Sequence, residues 1–205
     1  MAKGRTAQLI VKPSAQSVVA SATAVAKGAG PAPVHLRNPP FCGDIDMAIA
    51  RDGTWFHDGT PIGRAPLVKL FANILKREGD AYFLVTPVEK VGIRVDDVPF
   101  VAVDFDVDGD GDTQAVTFTT NIGDRATASP DHPLRVVRDP VTGEPSPYVM
   151  IRAGLEARID RKSFYRLVEL CHDEPHDGTP WFGLRSGGSF FPIIPTAELA
   201  ASLAP

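Results

Sequence analysis

Two aspartates one residue apart, Asp44 and Asp46 in the segment FCGDIDMAIAR, are the first side chains in this chain with the makings of chemistry. Such a pair can hold a divalent ion in nucleotide-sugar or nucleotidyl transfer. No glycine-serine phosphate motif precedes it, and Ile45, Met47 and Ile49 alternate with the acids, so the plain reading is a strand with a solvated acidic face. Asp106, Asp108, Asp110 and Gly111 fall at positions 1, 3, 5 and 6 of a calcium loop. The position that needs a bidentate Glu is Thr117, and a hairpin tip rich in Asp and Gly explains the same letters. Cys171, His172, His176 and Asp177 are zinc ligands by type. Cys171 lies on the apolar face of an expected helix, however, and a helical neighbour points about 100° away, so the set does not readily converge. His35, His57 and His132 are scattered, and the chain lacks a nucleophile elbow, a Walker loop and a dinucleotide fingerprint. No motif names a reaction, and no cofactor or metal is expected. The reading leans toward a protein that is not an enzyme.

Cations and aromatics remain. Arg64 precedes a helix, Lys69 lies on it and Lys90 sits at the next hairpin; Arg152, Arg158 and Arg161 surround a similar junction later in the chain. Arg64, Lys69, Lys90, Arg158 and Arg161 are therefore expected to form an anion-binding groove where two repeats meet, with Trp55 or Tyr165 offering a ring for a base to stack on. Trp181 is a further stacking candidate. The competing account makes the cations solvated faces and the aromatics core.

The elements that would carry these groups follow from spacing. Trp55-Phe56 enters a hairpin at Asp58-Gly59, and Leu67, Val68, Leu70, Phe71, Ile74 and Leu75 make one face of a helix from about Pro66 to Arg77, closed by Gly79. Strands Tyr82 to Thr86 and Val91 to Val95 follow. Near the C-terminus the order returns: a strand from Tyr148 to Arg152, a return at Ala157 to Ile159, and a helix capped by Asp160 with Phe164, Tyr165, Leu167, Val168 and Cys171 on one face. Trp181-Phe182, a Gly187-Gly188 turn and a strand from Phe190 to Ile194 complete it. The expected class is α+β: two repeated half-domains, each a helix packed on antiparallel strands, joined by a β-rich middle. The boundaries read as 1–40 for an N-terminal helix and Pro-rich connector, 41–99 for the first repeat, 100–147 for the middle and 148–205 for the second repeat.

With 205 residues, 43% hydrophobic content and a formal charge of −4, the chain can bury a core and offers no basic field for a nucleic-acid polymer or an anionic membrane. Lys3, Arg5 and Lys12 ahead of SAQSVVASATAVA resemble a signal peptide, but Gln16, Ser17, Ser21 and Thr23 make the run too polar. A helix capped by Ser14 and ended by Gly28 is expected instead, then a connector to Pro40. Two distant cysteines and no apolar span point to a cytoplasmic protein.

The combined wording CGDIDM, DGTWFHDGTPIGR, LVKLF, REGD, LVTPVEK and GLEARIDRKSFYRLVEL resembles a bacterial family known as domain of unknown function 1285, from about Pro39 to Pro195. The resemblance implies a duplicated α+β architecture, a second half somewhat like a pleckstrin-homology barrel, and a groove between the halves for a nucleotide-like ligand in signalling. It carries over no catalytic residue. Three functions stay open, in this order: a non-enzymatic regulatory protein binding a small nucleotide-like anion; a metal-dependent hydrolase or transferase using Asp44 and Asp46 on a phosphorylated substrate; and a protein-interaction module without a small ligand.

Overall fold

The computed structural model of the chain describes residues 14–25 and 33–203. The expected helix end at Gly28, the first part of the connector and the basic residues Lys3, Arg5 and Lys12 lie outside the described residues. Two compact units emerge, one of Met1–Ala48 with Trp55–Arg94 and one of Ile49–Thr54 with Val95–Pro205.

The N-terminal unit starts with α1 (Ala15–Val25), where the Ser14 hydroxyl accepts from the Ser17 N–H at 3.2 Å and Val18 and Ala22 are buried. Strands β1 (Phe41–Ile49), β2 (Trp55–His57) and β3 (Thr60–Pro61) follow, then α2 (Ala65–Asn73), β4 (Leu75–Glu78), β5 (Ala81–Val85) and β6 (Lys90–Val95). They form one six-stranded sheet in the order β3-β2-β1-β6-β5-β4. The helix expected to reach Arg77 stops at Asn73, and Leu75–Glu78 is a strand instead. Ile74 leaves the helical region, Leu75 and Glu78 pair with Leu84 and Ala81, and Gly79 serves the hairpin turn at φ 62° rather than a helix cap. Helical spacing continues through Ile74 and Leu75, but sheet pairing satisfies the same backbone groups and buries Leu75 fully.

The C-terminal unit contains β7 (Phe100–Asp108), β8 (Ala115–Thr120), β9 (Arg125–Thr127), β10 (Leu134–Arg138), β11 (Pro145–Arg152) and β12 (Leu155–Ile159). Next come α3 (Arg161–Val168), β13 (His172–His176), β14 (Thr179–Ser186), β15 (Ser189–Pro195) and α4 (Thr196–Leu203). Its large sheet has the order β10-β11-β12-β7-β8-β9, with β13-β14-β15 forming a smaller one. Counted within each unit, both six-stranded sheets run third-second-first-sixth-fifth-fourth. The two halves are thus similar, in a mixed α+β architecture. The correspondence runs through the strands and not through the helices: α2 lies between the third and fourth strands, whereas α3 follows the sixth. The middle segment supplies the opening strands of the second sheet.

Asp160 caps α3, its carboxylate accepting from the Ser163 N–H at 2.7 Å. The helix ends at Val168, three residues before Cys171, and His172–His176 is a strand. At the acidic tip, Asp110 and Thr113 cap a single 3-10 turn, Gly111–Thr113, while Asp106 bonds Arg125 at 2.6 Å.

Candidate functional site

The C-terminal unit gathers three arginines and a tyrosine around one cleft. Arg158 stands on β12, in register between Tyr148 of β11 and Val101 of β7. Arg161 is the first residue of α3, and Tyr165 lies one turn further along the same face. The Arg161 Nε–H donates to the Tyr165 hydroxyl at 3.1 Å, and the guanidinium carbon is 5.6 Å from the ring centroid. That contact leaves the ring 58% exposed. Arg51 comes from the turn after β1, which Gly53 closes at φ 83°; a side chain there would meet Asn121 and Val101. Its guanidinium donates to Ser146 Oγ at 3.3 Å.

The cleft measures about 810 Å³, and Arg51, Arg158, Arg161 and Tyr165 line it together with Asp139 and Glu144. With Asp97 behind them, these acids make three carboxylates for the three arginines. Asp139 Oδ1 accepts the backbone N–H groups of Thr142 at 2.8 Å and Val141 at 2.9 Å, which hold its carboxyl below the usual range and tie it to its own turn. Behind the arginines lies Asp97, whose two oxygens accept from the Tyr148 hydroxyl at 3.1 and 3.2 Å. Burial, with the Asp97 charge second, pushes the Tyr148 phenol up. Arg51 Nε is 3.5 Å from Asp97. Arg158 donates through Nη2 to the Arg51 carbonyl at 3.2 Å, but its Nε is 3.9 Å from Asp97, buried, and without a hydrogen-bond acceptor among the described residues. Guanidinium groups gathered at one cleft are of the type that pairs with the oxygens of a phosphate or carboxylate.

The five expected cations divide between the units. Arg158 and Arg161 meet at the cleft with Tyr165. In the N-terminal unit, Arg64 is the N-cap residue of α2 and Lys69 lies exposed on that helix. Lys90 is engaged internally, 2.9 Å from Glu78 and with its ammonium 4.8 Å from the Phe83 ring centroid. Hydrogen bonds from Lys90 and then Lys76 hold the Glu78 carboxyl low. Trp55 is 1% exposed, stacked on Phe71 at 6.0 Å and 16°, which makes it part of the core. Trp181 is half-buried, with His176 at 6.3 Å against its edge. Asp44 and Asp46 are exposed on β1. Among the described residues, no group of three or more His, Cys, Asp or Glu is placed to hold a metal. Burial raises the Cys171 thiol to about 12, and the thiol donates to the Leu167 carbonyl at 3.4 Å.

Sequence reasoning singled out Arg158, Arg161 and Tyr165 but missed Arg51 and Asp97. Arg51 precedes an Asp-Gly turn, and that turn signal was its only mark. Nothing in the linear chain joins it to residues more than a hundred positions away.

Residues 32–98 match the domain of unknown function described as the DUF1285 N-terminal domain. Residues 99–193 match the protein of unknown function described as the DUF1285 C-terminal domain. A crystal structure of a DUF1285 family protein from Silicibacter pomeroyi DSS-3 is similar at 64% identity and a TM-score of 0.80, over 89% of this chain and 97% of that one. A second, from Shewanella baltica OS155, is 31% identical over 60% of this chain and 90% of that one, with a TM-score of 0.48. No curated protein matches. With both domain descriptions matched in order and a close relative covered almost end to end, the chain belongs to the DUF1285 family.

Proposed function

We propose that this protein is a non-enzymatic regulatory protein of the cytoplasm that binds a small nucleotide-like anion in the cleft of its C-terminal unit. The observation that carries the reading is the convergence of Arg51, Arg158 and Arg161 on one cleft that also presents the exposed ring of Tyr165. Phosphate oxygens would take charge-assisted hydrogen bonds from guanidinium groups already held in place by Ser146, the Arg51 carbonyl and the Tyr165 hydroxyl. A base would lie on the open face of Tyr165, where stacking tolerates any base identity. The lining contains neither histidine nor cysteine, so it offers no imidazole or thiol as a nucleophile or proton shuttle. Both cysteines of the chain are free thiols, which fits a reducing compartment. No helix among the described residues is long and apolar enough to cross a membrane.

The test is thermal shift followed by calorimetry with nucleoside monophosphates, diphosphates and triphosphates, cyclic dinucleotides, free nucleosides and inorganic phosphate. A ligand at a hundred times its Kd should stabilise the folded state by about 2.7 kcal/mol. Arg158→Glu combined with Arg161→Glu should abolish that response, and Tyr165→Ala should weaken nucleotides more than phosphate. A nucleotide response unchanged in the double variant, or no response to any phosphate ligand, would overturn the reading.

A further inference from the structure

The N-terminal unit has its own concavity, unlike the cleft in chemistry. It lies between α1 and α2 and measures about 370 Å³. Val19, Ile62, Leu67 and Phe71 make its apolar walls, and Ala15 and Ala20 on α1 are too small to fill the space. The polar groups at the lining are Gln16, His57 and Arg64. The His57 ring already has Asp58 beside it at 3.6 Å. The Arg64 guanidinium is exposed and makes no hydrogen bond or ion pair among the described residues.

We infer that this pocket binds a small amphipathic carboxylic acid, its single aliphatic chain between α1 and α2 and its carboxylate on Arg64. Water in the pocket finds polar side chains only at Gln16, His57 and Arg64, whereas an aliphatic chain gains from every methylene it buries against the apolar walls. Charge selects the head group: a cation at the lining with no ion pair among the described residues favours a carboxylate and opposes an ammonium. The volume falls in the lower part of the range for small-molecule sites, enough for one chain and short of a two-chain lipid. Phe71 in the wall is 1% exposed and offers no open face for a base, and the half-buried His57 imidazole beside Asp58 is smaller than the Tyr165 ring of the other cleft. The site is therefore independent of the arginine cleft and stands or falls without it.

The experiment is calorimetry on the full chain with octanoate, decanoate and dodecanoate below their micelle concentrations, beside the matching alkanols and alkylammonium ions. Affinity should rise about fourfold per added methylene and level off when the pocket is full. Arg64→Ala should weaken the carboxylates about tenfold or more and leave the alkanols unchanged. Ala20→Leu and Ala20→Trp should block every chain progressively, with circular dichroism melts confirming that each variant is folded. Loss of binding in the milder leucine variant keeps the test valid if the tryptophan variant fails to fold. A flat chain-length series, equal binding of ammonium and carboxylate heads, or an Arg64→Ala variant that binds carboxylates normally would overturn the inference. So would two further results. Cosedimentation with fatty-acid-containing vesicles and no binding of the free acid would assign the surface to a membrane. Binding seen only after removal of residues 1–13 would assign the pocket to the chain's own N-terminal segment.

Discussion

Phe71→Ala is the most informative single substitution in the N-terminal unit. The ring is 1% exposed and lies nearly parallel to Trp55, 6.0 Å between centroids. Truncating a fully buried Phe costs about 3–5 kcal/mol, and loss of a stacked pair removes about 0.5–1.5 kcal/mol beyond area alone. Against this, Phe71 also borders the open pocket beside α1, so neighbours can relax into the space and water can enter. The lower end, about 3 kcal/mol, is therefore expected. With a urea slope of about 2 kcal/mol/M, the midpoint should fall by about 1.5 M. The chain has two tryptophans, and Trp181→Phe leaves Trp55 as the reporter for its own unit. Tyr165→Ala, at an exposed ring in the other unit, should move that Trp55 transition by less than about 0.3 M. A Phe71→Ala shift no larger than that control would refute the packing argument.

Thiol reagents at pH 8 should modify exposed Cys42 quickly and Cys171 only on unfolding, because burial raises the Cys171 thiol from 9.0 to about 12. Its contribution to stability should be fully present below pH 9 and lost as the pH climbs toward 12, since the native state holds the proton that the unfolded chain releases. Cys171→Ala should flatten that alkaline slope in pH-dependent urea titrations. Asp160→Ala removes the side-chain cap on α3 and should cost about 1 kcal/mol by equilibrium unfolding with Trp181 as the probe, with Asp160→Asn costing less.

Where local chemistry decides the outcome, the sequence was readable. Asp160 and Ser163 announce a helix start, Gly187-Gly188 announces a hairpin, and the strands at Tyr82 and Val91 show β-rich runs broken by a Pro-Val turn. The expected last turn of α2 is a strand, hidden in the sequence because Ile74 and Leu75 keep helical spacing, while a four-residue strand is too short to display alternation. The strand His172–His176 has no apolar residue to reveal it; Glu174 instead bonds Arg185 on the neighbouring strand β14. Duplication was visible, but matching helix to helix gave the wrong correspondence, since sheet order is a tertiary property. The cleft was half legible. Arg158, Arg161 and Tyr165 sit on one strand-to-helix passage, whereas Arg51 and Asp97 reach it only through folding.

In the second sheet, β7-β8-β9 and β10-β11-β12 are antiparallel runs, and the strand ladder that joins them is the parallel pairing of β12 with β7, Ala157 opposite Phe100. The first strand therefore waits for the last, across a loop of about 60 residues whose closure entropy must be met before any ladder bond forms there. During synthesis, the inner edge of β7 stays unpaired until Ile159 has left the ribosome. Charged side chains guard part of that strand: Asp104, Asp106 and Asp108 recur along its outer portion, whereas Phe100, Val101 and Ala102 do not share that protection. A chain stopped short of β12 would expose an apolar template for self-association, so truncation at this point is expected to be far more damaging to solubility than the loss of α4.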